Sequence, residues 1–394
     1  MALNEEVEFE AINARTDHVV DVWNDMTIVW GGLIMKISPY PFCDPKVVYC
    51  HLDGAWMKKV TQGDIPPPTA GAAAGIIGDE LFVACGKRGS LEENRTEFKL
   101  NEVTNTIYKL DLNEWRWSKL EPGGAKPPKS WRMASWVSGE KLFLFGGVGL
   151  GWFRQATLST TNNQLAIYDS ATNQWHLPLT HGMVPSPRLG HAAFVFNDSK
   201  SNCSRSYAFV FGGEDRTGQL SNKLFTLDLS NLIWEEVLPP VDAGAWPEAR
   251  CKHTLTRISD KFAVLYGGKK NIQVNPSDCW MLNIEASISQ SNPESIWTRC
   301  THHENEKRVF HAAAVEPSSK RLWIVGGYEN MREYNPAKYT TPIRELTFSS
   351  DQRLRVLALE SVARNKDKYQ ETIKTLPEDL QRAIINKAEN HVVT

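Results

Sequence analysis

The chain lacks most of what would announce an enzyme or a membrane protein. No P-loop, GxSxG elbow, HExxH pair or dinucleotide glycine fingerprint occurs in its 394 residues. No run of 18 apolar residues exists, and the opening MALNEEVEFE is acidic where a signal peptide is basic and then apolar. An excess of one charge is also missing: 44 Lys and Arg face 46 Asp and Glu, and a net charge of −2 provides no broad nucleic-acid footprint. The seven cysteines are odd in number and lack close CxxC pairing, as suits reduced thiols in the cytosol or nucleus. Cys300 with His302 and His303 has no partners at the paired spacing that structural zinc requires.

What the chain does have is a repeat. A hydrophobic run ends in a glycine pair at TIVWGG (Gly31), LFLFGG (Gly146), FVFGG (Gly212), AVLYGG (Gly267) and LWIVGG (Gly326), with a degenerate copy, LFVACGK, at Gly86. Successive first glycines are 55, 60, 66, 55 and 59 residues apart, a period that suits four-stranded blades of a propeller. The glycines let backbone pass where a Cβ would collide with a neighbour. A later strand in each of five copies ends near a tryptophan (Trp56, Trp117, Trp175, Trp234, Trp297), a flat ring that suits the wedge between twisted sheets. Four copies carry Arg-x-x-His ahead of the glycines: Arg15 to His18, Arg188 to His191, Arg250 to His253 and Arg308 to His311. Their regular spacing marks these histidines as inner-strand residues that tie blades together.

This arrangement resembles the kelch repeat. Six copies imply an all-β, six-bladed kelch propeller over residues 1–350, closed by pairing the strand-like Glu6 to Ile12 with Ile343 to Phe348. Inner strands begin at one rim of the central channel, so the pair inside each Arg-x-x-His is expected to face the mouth. These pairs are Thr16 and Asp17, Leu189 and Gly190, Cys251 and Lys252, Val309 and Phe310, and in the degenerate third copy Trp131 and Arg132. Loops after the glycines add Arg216, Lys269, Lys270 and Tyr328, and a long insertion in the third copy adds Trp152 and Arg154. Two cations and two aromatic rings on one rim suit an anionic group at the end of a flexible ligand.

After the last strand the rhythm becomes helical, and residues 351–394 read as a separate tail. Leu354, Ala358 and Val362, flanked by Leu357 and Ser361, make one small and apolar face. A second helix is expected from Leu376-Pro377, with Leu380 and Ile384 on its apolar stripe. The pair resembles the elongin-binding box and cullin box of ubiquitin-ligase substrate receptors, with alanine at Ala358 replacing the usual cysteine. Leu376, Pro377, Leu380 and Ile384 satisfy the cullin-2 version, and the second proline of the cullin-5 version is absent.

With TQGDIPPP at Thr61 to Pro68 and PSPRLGHA at Pro185 to Ala192, the whole chain looks like the kelch domain-containing protein 2 group, receptors that read C-terminal degrons. That resemblance implies a non-catalytic adaptor, with no cofactor, whose partners are elongin B/C, cullin-2 and the C-terminal tails of substrates. It places Arg132 at a basic pocket position, and Cys251 with Lys252 where the group has serine and tryptophan. Glu214 stands where the group has an arginine after a glycine pair, and the expected third-blade aromatic falls near Thr161. A kelch scaffold for cytoskeletal or chromatin proteins and a metal-bearing propeller enzyme are the alternatives.

Overall fold

The structure, a computed structural model, describes residues 15–34, 42–52, 55–89, 102–149, 161–198, 205–239, 246–270, 276–289, 296–300, 307–329 and 343–346. The chain divides into two compact units, Met1–Glu345 and Leu346–Thr394. Every tail position singled out above, from Leu354 to Ile384, lies outside the described residues, as do Trp152, Arg154 and the Glu6 to Ile12 stretch.

Described residues of the first unit form a kelch-type β-propeller. Its five complete blades are antiparallel meanders, the first running Val19–Trp23, Met26–Trp30, Val47–Leu52, Ala55–Val60 from the channel outwards. Between the fifth blade and the first stands a three-stranded sheet of Ala312–Val315, Leu322–Val325 and Ile343–Leu346. The only helix among the described residues is the short Ile284–Ser289. The second strand of each blade is the run into the glycines. It is covered on both faces by neighbouring blades, so it reads as continuous rather than alternating: Ile28, Val29 and Trp30 are all fully buried.

The apolar core lies between blades, not within them. One cluster joins Ile28 and Trp30 of the first blade to Leu81, Leu110 and Trp117 of the second, and the same wedge recurs at each later junction up to the fifth blade. The tryptophans fill it as expected. Trp117 packs on Trp30 with centroids 5.2 Å apart, Trp234 on Phe145 at 4.8 Å and Trp297 on Phe211 at 5.3 Å.

Each glycine pair is a junction between blades. The second glycine donates its N–H to a carbonyl at the start of the next blade: Gly32 to Thr69, Gly86 to Ser130, Gly147 to Arg188, Gly213 to Arg250, Gly268 to Arg308 and Gly327 to Arg15. The first glycine is required because a histidine ring of that next blade occupies the space. A Cβ at Gly146, Gly212, Gly267 or Gly326 would approach Cε1 of His191, His253, His311 or His18 to between 2.6 and 2.9 Å. The arginines brace the same corner from within their own blade. Arg188, Arg250 and Arg308 donate to the carbonyls of Gly212, Gly267 and Gly326 at 2.8, 3.1 and 3.1 Å. The motif residues that repeat most faithfully are therefore structural.

Blade edges are managed by the crossing segments. Gln62–Gly63, Gly123–Gly124 and His181–Gly182 each add a short parallel strand to the outer edge of the following blade. Pairing at these edges removes a template for aggregation.

Candidate functional site

The second residue of each x-x pair stands at the channel mouth. In chain order these are Asp17, Gly71, Arg132, Gly190, Lys252 and Phe310, and all six have positive φ, between 53° and 62°. Five backbone links join them in a hoop that runs from Asp17 round to Phe310. Gly71 N–H donates to the Asp17 carbonyl at 2.7 Å, Arg132 to Gly71 at 2.8 Å, Gly190 to Arg132 at 3.0 Å, Lys252 to Gly190 at 2.6 Å and Phe310 to Lys252 at 3.2 Å. The left-handed conformation turns each N–H and C=O sideways to its neighbours, and the links hold it against a cost of about 1–2 kcal/mol per non-glycine residue. At Lys252 that cost is measurable. Lys252→Gly should unfold with about 1–2 kcal/mol more stability than Lys252→Ala in chemical denaturation, since both lose the same amine and only alanine keeps the backbone strain. Equal stabilities would mean the backbone there is relaxed.

The reading that both members of each pair face the mouth is corrected. The first members, Thr16, Ala70, Trp131, Leu189, Cys251 and Val309, are all buried. Backbone bridges tie Trp131 to Val148, Leu189 to Glu214, Cys251 to Lys269 and Val309 to Tyr328, which holds the first residue of each of these pairs against the loop beyond the glycines, and the left-handed turn at the second residue sets its side chain apart from the first. Trp131 thus lies beneath Arg132 as a platform, and the Cys251 thiol donates to Glu214 Oε2 at 3.2 Å. Tyr328, also buried, stacks on Phe310 at 5.6 Å. Lys269 is half-buried; Arg216 is exposed in the turn capped by Asp215 and is not among the residues lining the mouth.

The mouth is an open depression of about 130 Å³, lined by the hoop residues and by His18, His191, His253 and His311 below them. That volume suits one small terminal group, since sites for drug-sized ligands run from about 300 Å³ upwards. Its charges differ from the expected surplus of cations. Arg132 forms a two-point ion pair with Asp17, Nε to Oδ1 at 2.7 Å and Nη2 to Oδ2 at 2.9 Å. The guanidinium also lies over Trp131 at 4.1 Å and over Phe310 at 4.4 Å, so Arg132 reaches from the third copy to the first and the sixth. Gly71 makes that reach possible: a Cβ there would meet the Trp131 ring at 3.0 Å and Arg132 Cγ at 3.3 Å. Lys252 Nζ stands 4.7 Å over the Phe310 ring and 3.5 Å from Glu214 Oε2. Two cations are thus matched by two carboxylates.

Burial opposes the charge on Arg132, but Asp17 outweighs it and holds the guanidinium pKa above its ordinary value. At Lys252 burial wins and lowers the ammonium pKa, with Arg132 adding to the effect. The four histidines below are driven neutral, chiefly by burial and next by positive neighbours: His191 and His311 fall to about 3. His191 donates from Nε2 to the Phe145 carbonyl at 3.1 Å, a structural bond. Among the described residues no group of three or more His, Cys, Asp or Glu is placed to hold a metal ion.

Sequence reasoning missed Gly71 because its copy reads Thr69-Ala70-Gly71-Ala72, without the arginine or histidine. The available signal was position, since Gly71 precedes Gly86 by 15 residues as Arg132 precedes Gly147, the glycine in the same place of its copy.

Meander blades joined through glycine pairs, with one loop residue per repeat at the hub, define a kelch-repeat propeller. The chain belongs to the family of the KLHDC2/KLHL20/DRC7 Kelch-repeats domain, whose pattern matches residues 17–203 and 159–347. Among individual proteins it is 27% identical over 408 residues to Kelch domain-containing protein 2 of Bos taurus, spanning 96% of this chain and 92% of that one. It is 26% identical over 322 residues to Kelch domain-containing protein 1 of Mus musculus, spanning 75% of each. Host cell factor 2 of Homo sapiens is 28% identical over 315 residues, or 75% of this chain and 36% of that protein.

Proposed function

We infer that this protein is a non-catalytic substrate receptor of a cullin-2/elongin B/C ubiquitin ligase, capturing the C-terminal tails of target proteins at the propeller mouth in the cytosol or nucleus. The observation that carries the reading is the convergence of Lys252, Arg132 and Phe310 on one small depression at the hub. Charge and aromatic surface of that size suit a chain end better than a folded face. Support also comes from the similarity to Kelch domain-containing protein 2 along 96% of the chain. In this reading the propeller is six-bladed, residues 6–12 complete the three-stranded sheet, and residues 351–394 form two helices. Leu354, Leu357, Ala358, Ser361 and Val362 meet elongin, while Leu376, Pro377, Leu380 and Ile384 meet cullin-2, by helix-in-groove docking. Ubiquitin transfer belongs to the partners, and the receptor contributes effective concentration of substrate lysines.

The test uses the full-length protein with a pool of fluorescent decapeptides bearing free or amidated C-termini, alongside co-purification with elongin B/C and cullin-2. Free termini should bind at least about tenfold more tightly than amidated ones, and removal of residues 351–394 should abolish co-purification while leaving peptide binding intact. Equal binding of both pools ends the tail-capture reading, and no complex with elongin B/C ends the ligase reading. A scaffold reading has one observation in its favour. Leu179, Met183, Ile233 and Leu238, at or flanking the paired outer strands His181–Gly182 and Ile233–Val237 of the fourth blade, are all exposed. A scaffold would keep its partners when the tail is removed.

A further inference from the structure

The four charges of the mouth are matched unequally. Both contacts between Arg132 and Asp17 are at charge-assisted hydrogen-bond length, and they use two donors of the planar guanidinium fork. Lys252 Nζ lies 3.5 Å from Glu214 Oε2, beyond the length of about 2.7–2.9 Å for such a bond, and that same oxygen accepts from the Cys251 thiol. One cation is held in a two-point grip and the other stands loosely beside its partner.

Resting on the tail-capture reading above, we propose that Asp17 is a specificity-determining residue of the mouth: it occupies the Arg132 fork, so the anionic end of a captured chain is held by the Lys252 ammonium against the Phe310 ring. A carboxylate approaching the Nε–Nη2 edge of Arg132 has to displace one that is part of the same hub, and one approaching Nη1 meets a cation whose charge Asp17 already offsets. At Lys252 it has only to join an ammonium with three rotatable donors. The choice of cation changes what is recognised. A guanidinium fork fits two coplanar oxygens, whereas an ammonium is a compact point charge with no such demand. The intact mouth therefore takes planar and tetrahedral anions alike, and loss of Asp17 turns it into a carboxylate reader.

The experiment is a side-chain NMR titration of the full-length protein, labelled at lysine Cε and arginine Nε, with sodium acetate and separately with sodium sulfate. Signals are assigned with Lys252→Met and Arg132→Lys. In the native protein both anions should move the Lys252 signal with similar affinity and leave Arg132 still. In Asp17→Asn, acetate should move Arg132 and bind about tenfold more tightly, while sulfate gains little. Asp17→Gly is the second variant, backbone-compatible because glycine holds the equivalent left-handed positions at Gly71 and Gly190. A response of Arg132 in the native protein, a silent Lys252, or unchanged acetate binding in both Asp17 variants overturns the proposal. Because acetate is the probe, this outcome is separate from the peptide-pool result that judges tail capture.

Discussion

The urea midpoint of this protein is expected to fall steeply between about pH 7.5 and about pH 5.5, with roughly 4–6 kcal/mol of stability lost. The cause is the buried quartet of His18, His191, His253 and His311, whose folded pKa values are lowered by burial first and by neighbouring charges second. Above the ordinary histidine pKa of about 6.5 both states are neutral and the stability is fully present. As pH falls through that value the unfolded chain takes up protons that the folded one cannot, and stability drains away until the folded pKa is reached, at about 3 for His191 and His311. Each ring contributes at most about 1.4 kcal/mol per pH unit in that window, and four together about 5. Tryptophan fluorescence reads the transition, and His191→Gln should remove about a quarter of the slope. A midpoint that does not move over this range would mean the histidines accept protons while folded.

Asp278→Ala should cost about 3–5 kcal/mol, among the largest effects of any single substitution here. Arg250 is fully buried, and its guanidinium meets Asp278 through two bonds of 2.6 and 2.8 Å. The same carboxylate accepts the Trp280 indole N–H at 2.7 Å. Truncation strands a buried cation and a buried donor together. Burial opposes ionisation of Asp278, but the bonds from Arg250 outweigh it and leave its pKa lowered, so at neutral pH the pair is fully charged. Arg250→Met combined with Asp278→Ala should recover a good part of the loss, because no uncompensated charge then remains. Chemical denaturation at about pH 7.5 measures both. A loss below about 1 kcal/mol in the single variant would show that water reaches Arg250.

The histidine and arginine corners were legible in the sequence because each is built from residues of the repeat itself, and the histidine meets the first glycine in the same way at four junctions. The mouth was legible only in part. Arg132, Lys252 and Phe310 follow from their place in the repeat, but their electrostatic partners do not. Asp17 is 115 residues from Arg132 in sequence, and they meet only because Gly71 in the intervening copy has no side chain. The inward turn of Trp131 and Cys251 depends on bridges to loops beyond the glycine pairs, which periodicity does not reveal. Glu214 stands out in the sequence as a departure from the resembling family, but its part as the counter-charge of Lys252 arises only when the fourth and fifth copies fold side by side.

The five links of the hoop at the hub are made by peptide groups alone, at positions whose left-handed backbone favours glycine and disfavours β-branched residues. Residues that tolerate that conformation keep the link, and each projects one group into a shared well. A side chain added at one repeat is therefore felt at the others, as Gly71 between Asp17 and Arg132 shows, so the repeats share one well and do not act as separate wheels of a lock.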